Sequence, residues 1–481
     1  MDIIALLNAL AKGLIKAGQD FFDRPDEFAE LEGTVMSLFH KAAADYLAMT
    51  LNQMDEMLCE SSLRQRRFTI VRHDRRTLVT TAGEVCFQHT LFRRRKNGKH
   101  EYLLDEMLHI PSKERFSTQA EAKILTEAAE HSYQQAADSL KIGGQEISKS
   151  AVMDKIRRIG KEIPEQKEAP EEKRKYRYLY IEADEDHIHS QKDRNGANGW
   201  IGKLVYLFEG KEKICEGKNR LIQPHYAGGL YPKRKGNKEL WKGIQDYIGR
   251  NYDEDSLEKV YISGDGGNWI RAGVNYVDSS LLVADKFHLM KYINRVADCV
   301  KEDREKVRRE LYSSIYADKR SRAMQILELV ENSVEGSEEA VGKCRQYLRN
   351  NWKAIQNAFA DPQVIGCSAE GHVSHIFSDR MSSRPMGWSK EGADSMCRLR
   401  CYMKNEGSNV LDLVKYRRKK EWEKQKEKEA KAEKMVEKAA VKKIYSKAQR
   451  QAFRYVEKLQ ASVEGDTVKK MLTIREKIYY I

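Results

Sequence analysis

The 481-residue sequence has few of the features that place a chain in a membrane or outside the cell. No uninterrupted apolar run is long enough to span a bilayer, which takes about 20 residues. The opening MDIIALLNALAKGLIKAG is apolar but lacks a basic start and a small-residue cleavage site, so no secretory signal is expected. Cysteine is sparse and scattered. Of the eight, only Cys397 and Cys401 lie close together, and no second pair follows at the spacing a structural zinc site needs. Reduced thiols and a cytoplasmic location, with no membrane partner, are expected. Proline is rare at eight residues, and two of these fall in KEIPEQKEAPEEKRK.

What the sequence has in excess is positive charge. Lys and Arg number 86 against 73 Asp and Glu, giving +13 and a pI near 9.1. That balance suits a nucleic-acid partner. At this length the core is expected to divide into two to four domains. Residues 1–60 read as helical, a packed region or an assembly surface, from the apolar spacing of LEGTVMSLFHKAAADYLAMTLNQMDEML. From 61 to 116 short β-rich segments alternate Val, Thr, Ile and Phe with basic residues, and Asn97–Gly98 signals a hairpin. Arg93, Arg94 and Arg95 lie in LFRRRKNGKH, which has five Lys or Arg and no acid; a ribbon along phosphates and a solvated hairpin tip both fit. Residues 117–163 return to helix. A break at Gly143 and Gly144, then Ser148 as N-cap of a basic helix, is a helix-turn-helix pattern in which Lys155, Arg157 and Arg158 would approach the major groove. A plain helical hairpin is the alternative. The charged, proline-bearing 164–175 reads as a linker.

Residues 176–410 carry the chemistry. Strand-like runs in YRYLYIEADEDHIH, WIGKLVYLFEG, KICEGKNRLIQPHYAG, VYISGDG and LLVADKFH, with a helical interval at 238–250, point to an α/β domain on a mixed sheet. An unpaired buried charge is costly, so carboxylates at the ends of central strands are better explained by a cation or substrate. Asp184 and Asp265 fit that description, and acids from two strands can converge on Mg²⁺, which takes oxygen ligands. Glu182, Asp184 and Asp186 alternate along one strand, so spacing does not select among them. Asp285 and His288 in DKFH could approach the metal or support its ligands, and His288 also fits a core position. Beyond this domain, residues 411–460 hold 17 Lys or Arg against 8 acids and no Pro or Gly, which predicts a long basic helix within a C-terminal helical region, 411–481.

The stretches YIEADEDH, VYISGDGGNWI, ADKFHLMKYIN and GCSAEGHVSHIFSDRMSSRPMGW resemble bacterial insertion-sequence transposases of the DDE type with a ribonuclease-H-like core, in a group related to the Mutator-like transposases. The correspondence runs from about residue 64 to about 410. The resemblance implies a first catalytic Asp on the first core strand, Asp184, and a second after the fourth, Asp265. A Cys-or-Asp, two residues, His motif follows, here Asp285 to His288. A helical insertion, about 289–362, would then precede the helix bearing the catalytic Glu. Glu370 is favoured for that role by its local motif and its place before Arg380 and Arg384, with Glu391 as the rival. Related transposases often have glycine after the first Asp, whereas Glu185 and Asp186 follow here.

The resemblance further implies two Mg²⁺ ions, with Mn²⁺ as a substitute, held by Asp184, Asp265 and Glu370. Metal-activated water would cleave at the transposon ends, and the freed 3′-hydroxyl would attack target DNA. His288 would orient a phosphate or a ligand, and Arg380, Arg384 and Trp388 would lie near the scissile strand, Trp388 alternatively in the core. The implied partners are double-stranded DNA, both terminal inverted repeats and target, and further copies of the chain, in a bacterial cytoplasm at the nucleoid. A catalytically silent DNA-binding protein and an RNA-processing nuclease are the alternatives.

Overall fold

The computed structural model describes residues 3–142, 146–163, 170–191, 199–216, 218–300, 302–384, 386–407 and 410–460. Gly143 and Gly144 of the expected helix-turn-helix and residues 164–169, half of the expected linker, lie outside these residues.

Two long helices, α1 (Ile3–Asp23) and α2 (Phe28–Glu60), pack on each other, and the short α3 (Ser62–Arg67) leads into an antiparallel sheet. Its strands are β1 (Phe68–Thr80), β2 (Gly83–Arg94) and β3 (His100–Tyr102), in that order. Leu91 pairs with Tyr102 and Arg93 with His100 across a turn in which Gly98 has φ +71°, the conformation that the Asn-Gly signal anticipates. The chain continues through α4 (Leu103–Met107), α5 (Thr118–Glu130), α6 (Tyr133–Asp138) and α7 (Lys149–Gly160). Ser117 and Ser148 cap α5 and α7 by accepting from the amides of Ala120 (3.1 Å) and Ala151 (3.2 Å).

The central sheet is mixed and five-stranded. In chain order its strands are β4 (Tyr178–His189), β5 (Gly199–Phe208), β8 (His225–Gly229), β9 (Lys259–Gly264) and β10 (Ser280–Ala284), while β6 (Gly210–Cys215) and β7 (Lys218–Ile222) form a separate hairpin. The expected single strand through KICEGKNRLI is therefore that hairpin. Across the sheet the order is β10-β9-β4-β5-β8; β5 is antiparallel to β4 and β8, and β9 is parallel to β4 and β10.

Strand alternation builds two cores. Leu179, Ile181, Ala183, Val260 and Ile262 face α8 (Lys233–Asn251) through Leu240, Trp241, Ile244 and Ile248. Tyr180, Ile188, Tyr206, Phe208, Tyr261 and Val283 turn to the other side, into a core shared with α5, α7 and α16 (Lys390–Glu406). Gly160 of α7 sits against Ser395 of α16 where a Cβ would collide with backbone, so these helices touch at glycine-limited distance. A short α9 (Asn268–Arg271) follows β9. After β10, the helices α10 (Lys286–Cys299), α11 (Arg304–Tyr316), α12 (Arg320–Ser333) and α13 (Glu338–Ala360) enclose a core of their own.

The chain returns to the sheet through α14 (Ala369–Val373), a π-helical turn (Ser374–Ser378) and α15 (Asp379–Met381). It leaves through α17, Leu411–Gln460, the long basic helix that the sequence predicts. Contacts divide the chain into one compact unit of Met1–Glu106 with Ser112–Arg417 and a second of Met107–Pro111 with Arg418–Ile481. Within the second, the rings of His109 and Trp422 lie 4.9 Å apart. No helix among the described residues is long and apolar enough to cross a membrane, and all eight cysteines are free.

Candidate active site

The register of the parallel strands sets the site. Ala183 pairs with Gly264, and Gly264 with Ala284, so the residues that follow, Asp184, Asp265 and Asp285, stand at one level on three adjacent strands. Neighbouring strands lie about 4.8 Å apart. Each aspartate continues the alternation of Tyr180, Tyr261 and Val283, toward the same side of the sheet. Gly264 permits the approach, because a Cβ there would come within 2.5 Å of the Ala183 carbonyl oxygen. Gly266, at φ +87°, turns the chain beyond Asp265 and abuts Asn351 of α13.

The side chains interact electrostatically. Asp184 accepts from the Glu185 amide at 2.8 Å, yet its carboxyl is pushed up to about 6, mainly by burial and further by the charge of Asp265. Asp265 accepts from the Gly267 amide at 2.7 Å. Asp285 caps α10 through the Phe287 amide (2.8 Å) and holds His288 Nδ1 at 2.8 Å. That bond is the main cause of a raised imidazole pKa, to which Asp265 and Asp184 contribute as well. Among the described residues neither Asp184 nor Asp265 has a lysine or arginine ion-pair partner, and a divalent cation suits such a pair of carboxylates.

The other acids of the cluster have different work. Glu182 is 2% exposed and saturated: it accepts from Tyr206 Oη, from Lys211 Nζ (2.8 Å), and from the amide (2.7 Å) and hydroxyl (3.0 Å) of Ser368. Lys211, from the β6–β7 hairpin, also donates to the Gly366 carbonyl and to Ser368 Oγ (3.0 Å). Asp186 accepts from Ser378 (3.1 Å) and Ser382 (2.9 Å). Glu182 and Asp186 thus bind the returning segment to β4 on either side of Asp184. Glu370 lies two residues past Ser368, on the first turn of α14, exposed and without an ion pair or side-chain hydrogen bond among the described residues. Its helix packs on β4, but Glu370 is not among the charges that shift Asp184 or His288. Glu391 sits instead beside α7, 63% exposed and 3.6 Å from Lys161.

A family profile described as Uncharacterised protein family (UPF0236) matches residues 26–426. The chain belongs to that family. A UPF0236 protein of Caldanaerobacter subterraneus subsp. tengcongensis is 33% identical over 440 residues, spanning 91% of this chain and 89% of that relative. Its name joins eleven locus designations. A UPF0236 protein of Streptococcus gallolyticus, named for the vanSb 3′ region, is 27% identical over 392 residues, spanning 78% of this chain and 83% of the relative. Among solved structures, the Drosophila P element transposase strand transfer complex overlaps 61% of this chain and 81% of its own at 9% identity, with a TM-score of 0.21, too loose to bear on the fold.

Several basic residues expected at a DNA surface in this UPF0236 chain lie elsewhere. Lys155 is 6% exposed, with Nζ 2.5 Å from Glu114 and 3.1 Å from Glu121. Arg380 is 2% exposed, stacked over Trp388 and Tyr133 and donating to the Ala128 carbonyl (3.0 Å); burial pushes its guanidinium down to about 10. Both are structural, because a buried cation must be paired or hydrogen-bonded where it sits. Trp388 is core, its Nε1 donating to the Met381 carbonyl at 3.0 Å. Arg94 pairs with Glu101 at 2.9 Å, Arg95 donates to the Gln65 carbonyl, and Arg157 to Ser389. Arg93, Arg95, Arg158 and Arg384 remain exposed. Sequence reading missed Tyr206, Lys211 and Ser368; the Cys-Ser-Ala-Glu start of a helix was the available signal for Ser368.

Proposed function

We propose that this chain is a divalent-metal-dependent DNA transposase. The observation that carries the reading is the row of Asp184 and Asp265 beside the Asp285–His288 pair. The order of the elements supports it: Asp184 is on the first strand of the sheet in chain order, Asp265 follows the fourth, and a helical stretch follows the fifth. That is the arrangement the ribonuclease-H-like resemblance calls for. A relative whose name joins eleven locus designations also fits an element that multiplies within a genome.

Asp184 and Asp265 would hold the ions, with Glu370 as the third acid once DNA draws its short helix inward. Mg²⁺ there would activate water or a 3′-hydroxyl and stabilise the oxygens of an in-line displacement. Asp285 keeps the His288 ring oriented through Nδ1, leaving Nε2 to position a phosphate. Glu182 fixes the start of the Glu370 helix against β4. Arg158, Arg384 and the basic α17 supply phosphate contacts.

The test uses labelled duplexes taken from the DNA on either side of the gene, where the reading expects inverted repeats, with Mg²⁺ and the full chain. Wild type should nick the repeat ends, and Asp265→Asn should bind them as tightly without nicking. Metal-dependent cleavage retained by Asp265→Asn would overturn the assignment. Binding without nicking by the wild type would identify a silent DNA-binding relative.

A further inference from the structure

Far along the chain from these acids lies a second cluster. Only two residues of α2 are buried, Ala44 and Asp55, and Asp55 is completely so. A carboxylate out of water is costly without a compensating cation. None is paired with it among the described residues: its partners are the Thr90 amide (2.9 Å) and hydroxyl (2.6 Å) and the Gln88 side-chain amide (3.4 Å), all neutral. The nearby Arg64 guanidinium instead donates to the Leu58 carbonyl and stacks over Phe92.

Two metal-binding side chains face the same place. Cys59, one turn after Asp55, has Sγ 3.4 Å from Thr90 Oγ1, and His73 of β1 has Nδ1 2.8 Å from that same oxygen. One ligand atom from each of Asp55, Cys59 and His73 lies within 4.8 Å of the other two. Tetrahedral zinc, bound at about 2.0–2.3 Å, needs its ligand atoms about 3.3–3.8 Å apart. Side-chain rotation about the shared Thr90 covers the difference.

We propose that Asp55, Cys59 and His73 form a zinc site that fastens α2 to the β1–β2 sheet. A thiolate, an imidazole and a carboxylate suit Zn²⁺ and not Mg²⁺, so this site is separate from the aspartate row. Asp55 Oδ1 stays on the Thr90 amide, which orients the carboxylate, while Oδ2 turns to the metal. The Cys59 thiol gives up its proton to solvent on binding. His73 lies toward the surface, leaving room for water as fourth ligand.

The full chain, stripped with chelator and dialysed against ZnCl₂, is assayed for zinc by mass spectrometry, and Co²⁺ serves as an optical probe. Wild type should retain one equivalent more than Cys59→Ser or His73→Ala, show a thiolate-to-cobalt charge-transfer band that Cys59→Ser lacks, and melt at higher temperature with zinc. Asp184→Asn should keep that equivalent. Because His73 is exposed, His73→Ala is the variant expected to fold without metal. Equal zinc content in wild type and His73→Ala, or no thiolate band in wild type, overturns the site.

Discussion

Replacing Asp184 by Asn should make the protein more stable while removing its activity. The carboxyl rises from an ordinary 3.8 to about 6 because burial and the Asp265 charge oppose its ionisation. At about 1.4 kcal/mol per pH unit this amounts to roughly 3 kcal/mol, an upper figure because the carboxylate keeps some water. The folded pKa lies above the unfolded one, so stability is fully present below about pH 4 and lost as pH rises through about 6. The amide carries no such penalty. Urea unfolding of both proteins in chelator, followed by circular dichroism, should therefore show a difference that is small at pH 4, grows to 1–3 kcal/mol in favour of Asp184→Asn by about pH 7, and then levels. Adding Mg²⁺ at pH 8 should stabilise wild type and close the gap, since a cation that binds only the folded site shifts the equilibrium. A difference independent of pH, or equal stabilisation of both proteins by Mg²⁺, would refute the reasoning.

Four further outcomes are expected. Glu182→Gln should lower stability by about 2–4 kcal/mol in thermal melts, since it leaves the Lys211 ammonium without its counter-charge, and should slow nicking more than DNA binding. Lys155→Met should cost about 3 kcal/mol of stability but leave the affinity of the folded protein for duplex DNA unchanged by fluorescence anisotropy. Arg158→Ala should do the reverse, lowering affinity and reducing the salt slope by about 1. Gly160→Ala should destabilise by about 1–3 kcal/mol, because α7 must move away from Ser395 to admit the methyl group.

The placement of the acids was legible where a local pattern sets it. Asp184 and Asp265 stand out because each ends or follows a run of apolar, β-branched and aromatic residues, and the structure sets the two strands side by side. The choice among Glu182, Asp184 and Asp186 was not legible, since a period of two gives all three the same face. Their roles are set by Tyr206, Lys211, Ser368, Ser378 and Ser382, which come from 24 to 196 residues away. Lys155 and Arg380 were misread for a related reason. Charged side chains are usually exposed, and nothing local announces that Glu121 waits on the neighbouring α5 or that the Trp388 ring, held in a bridge to Ser190, covers Arg380. The β6–β7 hairpin was missed although the polar Glu216–Arg220 stretch, with Gly217 in it, interrupts the apolar residues on either side and was an available turn signal. Glu370 remains the member of the triad on which sequence motif and observed geometry agree least, for its side chain points to solvent while its helix is fastened to the strand bearing Asp184.

The most direct test is a crystal structure of the protein soaked in Mn²⁺, with the metal located by anomalous scattering. The account predicts a peak between Asp184 and Asp265, with carboxylate oxygens at about 2.0–2.3 Å and Glu370 drawn toward it when DNA is bound. Manganese absent from that row, or bound instead by Glu391 or by Glu182, would contradict it.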